Sequence, residues 1–281
     1  MSSRRLLEYE IRENVALLRF NDPATLNACS DAMCEALIEA LNIAQRESRA
    51  IVLTGEGRGF SSGANLAASA ADKPAAERDA GARLERLFNP LMLLIRNLAV
   101  PFVTAVNGPA AGAGSSIALS GDLIVAAESA YFLQAFTRIG LVPDAGSAYL
   151  LAKSIGRVRA LEAMMLAEKI SARQALEWGM VSRVVADENL IDTAMALGAR
   201  LAAGPTQALG WIRRLGWFAL EHGFEEQLTL ERGLQRAAGQ TPDFEEGIAG
   251  FREKRPARFT GIRAPDSDAT ALTRPDLAEP P

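Results

Sequence analysis

The chain has 281 residues, of which 49% are hydrophobic and 23% are charged, proportions that fit a folded globular protein and exclude a disordered or fibrous one. The 34 acidic and 30 basic residues give a net charge of −4, which disfavours a uniformly basic surface for nucleic acid. Two cysteines and one histidine are too few for a metal cluster or a disulfide-rich scaffold.

Two short strands and an amphipathic helix are predicted first. The segment 8–20 has the pattern of two strands that turn near Glu13-Asn14. Ser30 can cap a helix whose apolar residues recur at three- and four-residue spacing, namely Met33, Cys34, Leu37, Ile38 and Leu41. One face of this helix is expected to belong to the core.

The N-terminal sequence and the cysteines predict a reducing, cytoplasmic location. Glu8 interrupts the first apolar residues, so no stretch long enough for a signal peptide is present. Cys29 and Cys34 lie five residues apart on what the pattern indicates is one helix, a spacing that disfavours a disulfide.

Three compact apolar segments, 51–54, 102–106 and 123–126, are predicted to be buried strands. Helical patterns at 83–97 and 113–121 separate them, and this alternation favours parallel pairing in an α/β fold. No residue between Arg96 and Asp122 is charged. Prolines and glycines break this run, which therefore indicates a buried strand, a turn and a buried helix rather than a membrane span.

The remainder of the chain is predicted to be mostly helical from Gly156 onward, with one more strand at 180–185. Gly204-Pro205 precedes a helical region suited to packing or oligomerisation. The residues after Gly261 are rich in Pro, Asp, Ala and Thr, and we expect them to be disordered. The predicted organisation is a core over 1–200, a helical region over 201–261 and a tail over 262–281.

The single histidine, His222, limits histidine chemistry to one position. It stands beside Gly223 at a predicted helix end, where a satisfied or solvated imidazole is favoured over a catalytic one. A Ser-His-Asp triad would have to use this residue.

Two glycine-bearing turns, 55–66 and 107–117, each follow a predicted buried strand. If they converge, their free backbone N–H groups can hold one oxyanion. Neither turn has a nucleotide-binding glycine pattern, so nucleotide hydrolysis loses its main support. Tight turns of purely structural use remain the alternative.

Asp144 is the candidate acid or base, in the loop 139–146. An aspartate that caps the following helix is one interpretation. The other is a carboxylate whose pKa is raised by apolar neighbours, as a general base for carbon acids requires. The pocket-lining candidates are Phe132, Phe136 and Leu141, although each of them is also an ordinary core residue type.

In their order and separation these motifs resemble the crotonase superfamily, the enoyl-CoA hydratase/isomerase family, from about Glu8 to Gly261. The supporting segments are Asp22-Pro23-Ala-Thr-Leu-Asn27-Ala28, Phe60-Ser-Ser-Gly-Ala-Asn-Leu66, Val106-Asn-Gly108, Ile139-Gly-Leu-Val-Pro143 and Phe251-Arg-Glu-Lys-Arg255. The resemblance implies a spiral of ββα repeats, a C-terminal helical region that builds a homotrimer or a dimer of trimers (a hexamer), and an acyl-CoA substrate. It implies no metal or redox cofactor, because coenzyme A is part of the substrate, and no nucleic-acid or membrane partner.

The resemblance also assigns site residues. It places the oxyanion-hole N–H groups on Ala64 and Ala113, which would hold the thioester oxygen as an enolate forms. Lys254 resembles a lysine that approaches CoA phosphates from a neighbouring subunit. The remaining residues expected to contact coenzyme A are Leu26, Ala28, Leu66 and Phe251, and we expect 67–88 to form a mobile segment over the acyl site.

The expected reaction follows from which acids are present. Hydratases of the family use two glutamates, and Ser116 and Phe136 occupy those positions here. Asp144 stands where the isomerase and dehalogenase branches place an aspartate, and the motifs look particularly like the ring-1,2-epoxyphenylacetyl-CoA isomerase branch. Isomerisation through Asp144 is therefore favoured. Hydration by another acid, and a non-catalytic acyl-CoA-binding or RNA-binding relative, are the alternatives, while a missing upstream histidine disfavours dehalogenation.

Overall fold

The computed structural model describes residues 6–65 and 74–262. The chain divides between Ala202 and Ala203 into two compact units, of which the first contains every described strand. Within the described ranges, none of the helices is long and apolar enough to cross a membrane.

A hairpin opens the first unit, as predicted. Strands β1 (Leu7–Arg12) and β2 (Val15–Phe20) pair antiparallel, with Arg12 opposite Val15. The two turn residues, Glu13 and Asn14, have φ values of 48° and 66°. Positive φ at both positions is what a two-residue hairpin loop needs to match the twist of its strands.

Seven further strands are described in this unit: β3 (Ala50–Gly55), β4 (Phe102–Val106), β5 (Pro109–Ala111), β6 (Leu123–Ala127), β7 (Tyr131–Leu133), β8 (Lys169–Ser171) and β9 (Arg183–Val185). A six-stranded sheet has the order β1-β2-β3-β4-β6-β9, and its pairs from β2 to β9 are all parallel. A second sheet has the order β5-β7-β8. The three predicted buried strands are confirmed, whereas the strand predicted at 180–185 is shorter.

Six α-helices belong to the described part of the first unit: α1 (Asp31–Glu47), α2 (Asn89–Arg96), α3 (Ala113–Leu119), α4 (Ser147–Leu166), α5 (Ala172–Glu177) and α6 (Leu190–Ala202). Ser30 caps α1 as predicted, since its Oγ accepts from Met33 N at 3.1 Å. Helix α6 packs closely on the sheet, because a Cβ added at Gly198 would lie 2.9 Å from Val15 Cγ1.

One local prediction is wrong. Cys29 precedes the Ser30 cap and so lies outside α1, although both cysteines are free and buried. The mostly helical structure predicted from Gly156 onward is confirmed. Helix α4 begins earlier, at Ser147, and has a kink at Gly156, whose φ of 77° and ψ of 160° are not helical but are accessible to glycine.

The second unit consists of α7 (Thr206–Ala219), α8 (Phe224–Ala238) and α9 (Pro242–Glu253) in its described residues. Pro205 precedes α7, as the predicted break requires. A groove of about 520 Å³ lies between α7 and α8, with lining residues that include Trp211, Ile212 and Leu228. His222 follows α7 and stacks on Phe218, with 3.5 Å between ring centroids. The residues from 263 onward, expected to form a disordered tail, lie outside the described ranges.

Candidate active site

The two glycine-bearing turns converge in the structure, so the condition stated for a shared oxyanion site is met. Ala111 N donates to Ser61 O at 2.9 Å, and Ser61 N donates to Pro109 O at 3.1 Å. A Cβ added at Gly63, whose φ is +90°, would lie 2.5 Å from Ala111 O, and one at Gly114 would lie 2.7 Å from Ser61 O. The backbones are therefore so close that side chains at these glycines would force them apart.

The first candidate oxyanion donor is the N–H group of Ala64. Cys29 forms a parallel bridge around this residue: Cys29 N donates to Gly63 O at 2.7 Å, and Asn65 N donates to Cys29 O at 3.2 Å. In such a bridge the N–H of the residue between the two bonds points away from the partner strand. Among the described residues, Ala64 N has no hydrogen-bond acceptor.

The second candidate donor is the N–H group of Ala113, the first residue of α3. It too has no acceptor within the described residues, since the first N–H groups of a helix lack intrahelical partners. Gly112, with φ 51° and ψ −128°, turns the chain into α3, and its N–H donates to Leu133 O at 2.9 Å. The Cβ position at Gly63 is 3.4 Å from Ala113 N. Two unpaired N–H groups from touching turns can stabilise one developing oxyanion.

Asp144 lies in the loop that precedes α4, and it does not cap that helix. The residue before α4 is Gly146, and no side chain caps it. Asp144 Oδ1 is buried without a hydrogen-bond partner in the described part of the chain. Burial raises the pKa of Asp144 to about 6, and the charge of Arg83 acts in the opposite direction. The helix-cap interpretation is therefore wrong, and the carboxyl has the environment of a general base.

A pair of buried serines connects Asp144 to the second turn. Ser116 in α3 and Ser147 in α4 share a hydrogen bond of 2.5 Å between their Oγ atoms. Ser116 Oγ also donates to Asp144 O at 3.4 Å. Because Ala113 is three residues before Ser116 in the same short helix, these bonds tie the Asp144 loop to the helix that carries the oxyanion donor.

The predicted pocket residues lie in three different settings. Phe136 is buried beside the second turn, since its Cζ lies 3.8 Å from a Cβ added at Gly112. Leu141 is 40% exposed on the Asp144 loop. Phe132 is fully buried in β7, where it pairs with Ala110. Phe132 and Phe136 therefore both lie against the turn with the Ala113 donor, Phe132 through Ala110 and Phe136 beside Gly112.

The residues expected to bind coenzyme A divide between the two units. Leu26 and Ala28 belong to the segment beside the first turn, where Ser62 N donates to Leu26 O at 2.8 Å. Phe251 is 84% exposed on α9, and Lys254, with φ 57°, ends that helix in the second unit. Leu66 lies outside the described residues.

Arg83 was not identified from the sequence, yet its guanidinium contacts the first turn. Its Nη2 donates to Cys29 O at 2.7 Å and its Nη1 to Asn65 O at 3.1 Å. It falls in the segment 67–88 that we expected to be mobile, of which 67–73 lie outside the described residues. The described part contains a π-helical turn, Leu84–Phe88, directly after Arg83. No local pattern in the sequence signals a contact between residues 54 positions apart.

Comparison with known proteins gives one consistent family. The model of the enoyl-CoA hydratase/isomerase family matches residues 10–262. The chain is 42% identical to the 1,2-epoxyphenylacetyl-CoA isomerase of Escherichia coli K12, over 89% of this chain and 97% of that protein. It is 41% identical to a Rhodobacter capsulatus protein named "Probable enoyl-CoA hydratase", over 91% and 98% of the two chains. The solved enoyl-CoA hydratase subunit I of Geobacillus kaustophilus HTA426 superposes with a TM-score of 0.83 at 35% identity, over 92% and 98%.

Proposed function

Because the chain belongs to the enoyl-CoA hydratase/isomerase family, we propose that it isomerises an enoyl-CoA or a related ring-CoA thioester, with Asp144 as its single proton shuttle. The α/β fold is the crotonase-type fold predicted from the sequence. One observation carries the choice of reaction: Asp144 has a buried oxygen without a hydrogen-bond partner among the described residues, while Ser116 and Phe136 supply no second acid.

The proposed reaction starts from a 3-enoyl-CoA thioester. Asp144 removes a proton from C2, and the negative charge spreads to the thioester oxygen as a dienolate forms. The N–H groups of Ala64 and Ala113 donate to that oxygen, where the charge develops. The protonated Asp144 then returns the proton to C4. The double bond, which lay between C3 and C4 in the substrate, now lies between C2 and C3. One carboxyl is sufficient for the cycle, and no step needs a metal or redox cofactor.

The electrostatics of Asp144 support this role. A carboxyl with a pKa of about 6 is mostly ionised at pH 7. It is also a stronger base than an ordinary aspartate, so the free energy needed to transfer a proton from a carbon acid is smaller. A proton shuttle must both accept and release the same proton, and a pKa close to the working pH serves both steps.

Hydration of a 2-enoyl-CoA remains the second candidate, because a relative at 41% identity is named as a hydratase. Water addition needs a group that activates water and a group that protonates the α-carbon. Ser116 is occupied by its bond to Ser147, and Phe136 has no titratable group. Isomerisation needs one carboxyl, which Asp144 supplies, and it is therefore favoured over hydration.

We also propose that the chain assembles into a homotrimer or a dimer of trimers in a cytoplasmic, reducing location. The groove between α7 and α8, together with the exposed rings of Phe224, Phe244 and Phe251, supports oligomerisation, because exposed apolar side chains are often used at protein–protein contacts. In such an assembly Lys254 would approach the CoA phosphates of a neighbouring subunit. The two free buried cysteines support a reducing compartment.

Mass spectrometry in deuterated water tests the reaction. Wild type and Asp144→Asn are incubated separately with a 3-enoyl-CoA and a 2-enoyl-CoA. We expect migration of the double bond with deuterium uptake by the wild type, and loss of both in Asp144→Asn. Addition of one water to the 2-enoyl-CoA without bond migration would favour the hydratase instead. Full isomerase activity in Asp144→Asn would reject the shuttle.

A further inference from the structure

The side chain of Arg83 bonds to both sides of the first candidate oxyanion donor. Its Nη2 and Nη1 donate to Cys29 O and Asn65 O, at 2.7 and 3.1 Å. Asn65 follows Ala64 directly, and Cys29 is the residue that bridges around Ala64. The guanidinium therefore spans the two backbone segments whose separation sets the position of the Ala64 N–H.

The guanidinium is itself held from two further directions. Its Nε donates to Asp31 Oδ1 at 2.6 Å, and its Cζ lies 5.3 Å from the centroid of the buried Phe88 ring. Asp31 is the first residue of α1, so Arg83 also connects the turn to the start of that helix. These four contacts leave the guanidinium little freedom to move. An arginine can make them together because its N–H donors are held in a rigid, planar fork.

Arg83 also supplies a positive charge near Asp144 without pairing with it. Its charge lowers the pKa of Asp144 against the larger effect of burial, yet no ion pair joins the two among the described residues. The Cys29 thiol is within electrostatic reach of both groups.

Two cations on the elements that flank the Asp144 loop have partners elsewhere. Arg138 donates to Ala167 O at 2.6 Å, and Lys153 lies over the ring of Tyr149, 5.7 Å from its centroid. Neither contributes to the pKa of Asp144, for which burial and Arg83 are the causes. Among the described residues, Arg83 is the cation whose charge acts on this carboxyl.

We infer that Arg83 is a positioning residue of the proposed isomerase site, which fixes the Ala64 N–H through Cys29 O and Asn65 O and keeps a positive charge near Asp144. This inference rests on the proposed function for its kinetic consequences. The position of the Ala64 N–H can be tested separately, because that test requires only that the protein binds an acyl-CoA.

Kinetics of Arg83→Lys and Arg83→Gln separate the two roles. Lysine keeps the charge but lacks the fork, whereas glutamine loses both. Because small displacements of a donor are costly, we expect kcat to fall about tenfold or more in both variants, with KM changed much less. Only Arg83→Gln should shift the acid limb of the pH profile, and the shift should be to higher pH. Without the Arg83 charge, no other group among the described residues opposes the effect of burial, which raises the pKa of Asp144. Arg86→Gln is the matched control. Arg86 also contacts Asp31, but it is Arg83 that donates to the carbonyls of Cys29 and Asn65.

A vibrational measurement tests the position of Ala64 without turnover. A saturated acyl-CoA labelled with ¹³C at the thioester carbonyl is bound to each variant, and its C=O stretch is recorded by difference infrared spectroscopy. We expect wild type and Arg86→Gln to lower the stretch and both Arg83 variants to lower it less. Thermal melting identifies any variant that fails to fold. If Arg83→Gln fails, the carbonyl frequency of Arg83→Lys is compared with that of the wild type.

The outcomes separate the inference from the proposed function. If wild type isomerises the substrate and both Arg83 variants match it in kcat, pH profile and carbonyl frequency, the inference is overturned and the function stands. If wild type does not isomerise but the frequency still differs between wild type and the Arg83 variants, the proposed function fails while the positioning of Ala64 is supported.

Discussion

Replacing Asp144 by asparagine is predicted to stabilise the protein at neutral pH while it removes activity. Burial raises the pKa of this carboxyl from 3.8 to about 6, so the ionised form is less favourable in the folded state than in the unfolded chain. The folded state binds more protons between these two pH values, and stability therefore falls as pH rises from about 4 to about 6. Asparagine has a similar shape and carries no charge, so it avoids this loss.

The magnitude follows from the difference of about two pH units, each equivalent to about 1.4 kcal/mol. The upper bound is thus about 3 kcal/mol, and partial solvent exposure of the carboxyl reduces the expected gain to about 1 to 2 kcal/mol. The gain should be present at pH 8 and absent at pH 4, where Asp144 is protonated in the folded state.

Urea unfolding of wild type and Asp144→Asn at both pH values measures this difference. Asp187 offers a control of opposite sign, because the Ser129 hydrogen bonds lower the pKa of its carboxyl, and Asp187→Asn should lose stability at pH 8. Equal stability of wild type and Asp144→Asn at pH 8, or the same gain at pH 4, would refute the assignment of a desolvated carboxylate at Asp144.

Three further predictions concern activity and folding. The isomerase rate should fall below pH 6 as Asp144 is protonated, to about a tenth of its plateau at pH 5; a flat profile from pH 5 to 8 would contradict the base role. Gly114→Ala should lower kcat about 100-fold because the new Cβ would meet Ser61 O at 2.7 Å, whereas Gly233→Ala, with open space around it, should keep full activity in the same assay. Asn27→Ala should destabilise the fold by about 1 to 3 kcal/mol, since its Nδ2 donates to Gly59 O at 2.8 Å and Glu56 O at 3.0 Å; a melting temperature equal to that of wild type would exclude this.

The layered α/β architecture could be predicted because its signals are local. Strands buried on both faces appear as short continuous apolar runs, and β3, β4 and β6 coincide with the predicted ones. The hairpin turn at Glu13-Asn14 and the cap at Ser30 are likewise set by neighbouring residues. Strands of three residues, such as β5 and β7, carry too little pattern to be recognised without their partners.

The sequence pointed to the two turns and to Asp144, but not to how they meet. Glycines after two predicted strands left a shared site and purely structural turns as alternatives, and it is the pairing of β3 with β4 that brings the turns together. The free carboxyl of Asp144 could not be separated from a helix cap, because that depends on Gly146 taking the capping position in a left-handed conformation. Arg83 was missed because its partners Cys29 and Asp31 are more than fifty residues away. The roles assigned to Ala64, Ala113 and the CoA-binding residues stay predictions.

The two candidate donors are main-chain groups, and this affects how the protein tolerates genetic change. A missense codon at position 64 or 113 alters the side chain but keeps the N–H, unless it encodes proline. The acid is a side chain, so a single nucleotide change at Asp144 can delete it. The oxyanion half of such a site is thus inherited with the fold, while the proton-transfer half is open to replacement. A lineage that carries this scaffold can change which reaction it performs without having to evolve a new place to bind the thioester.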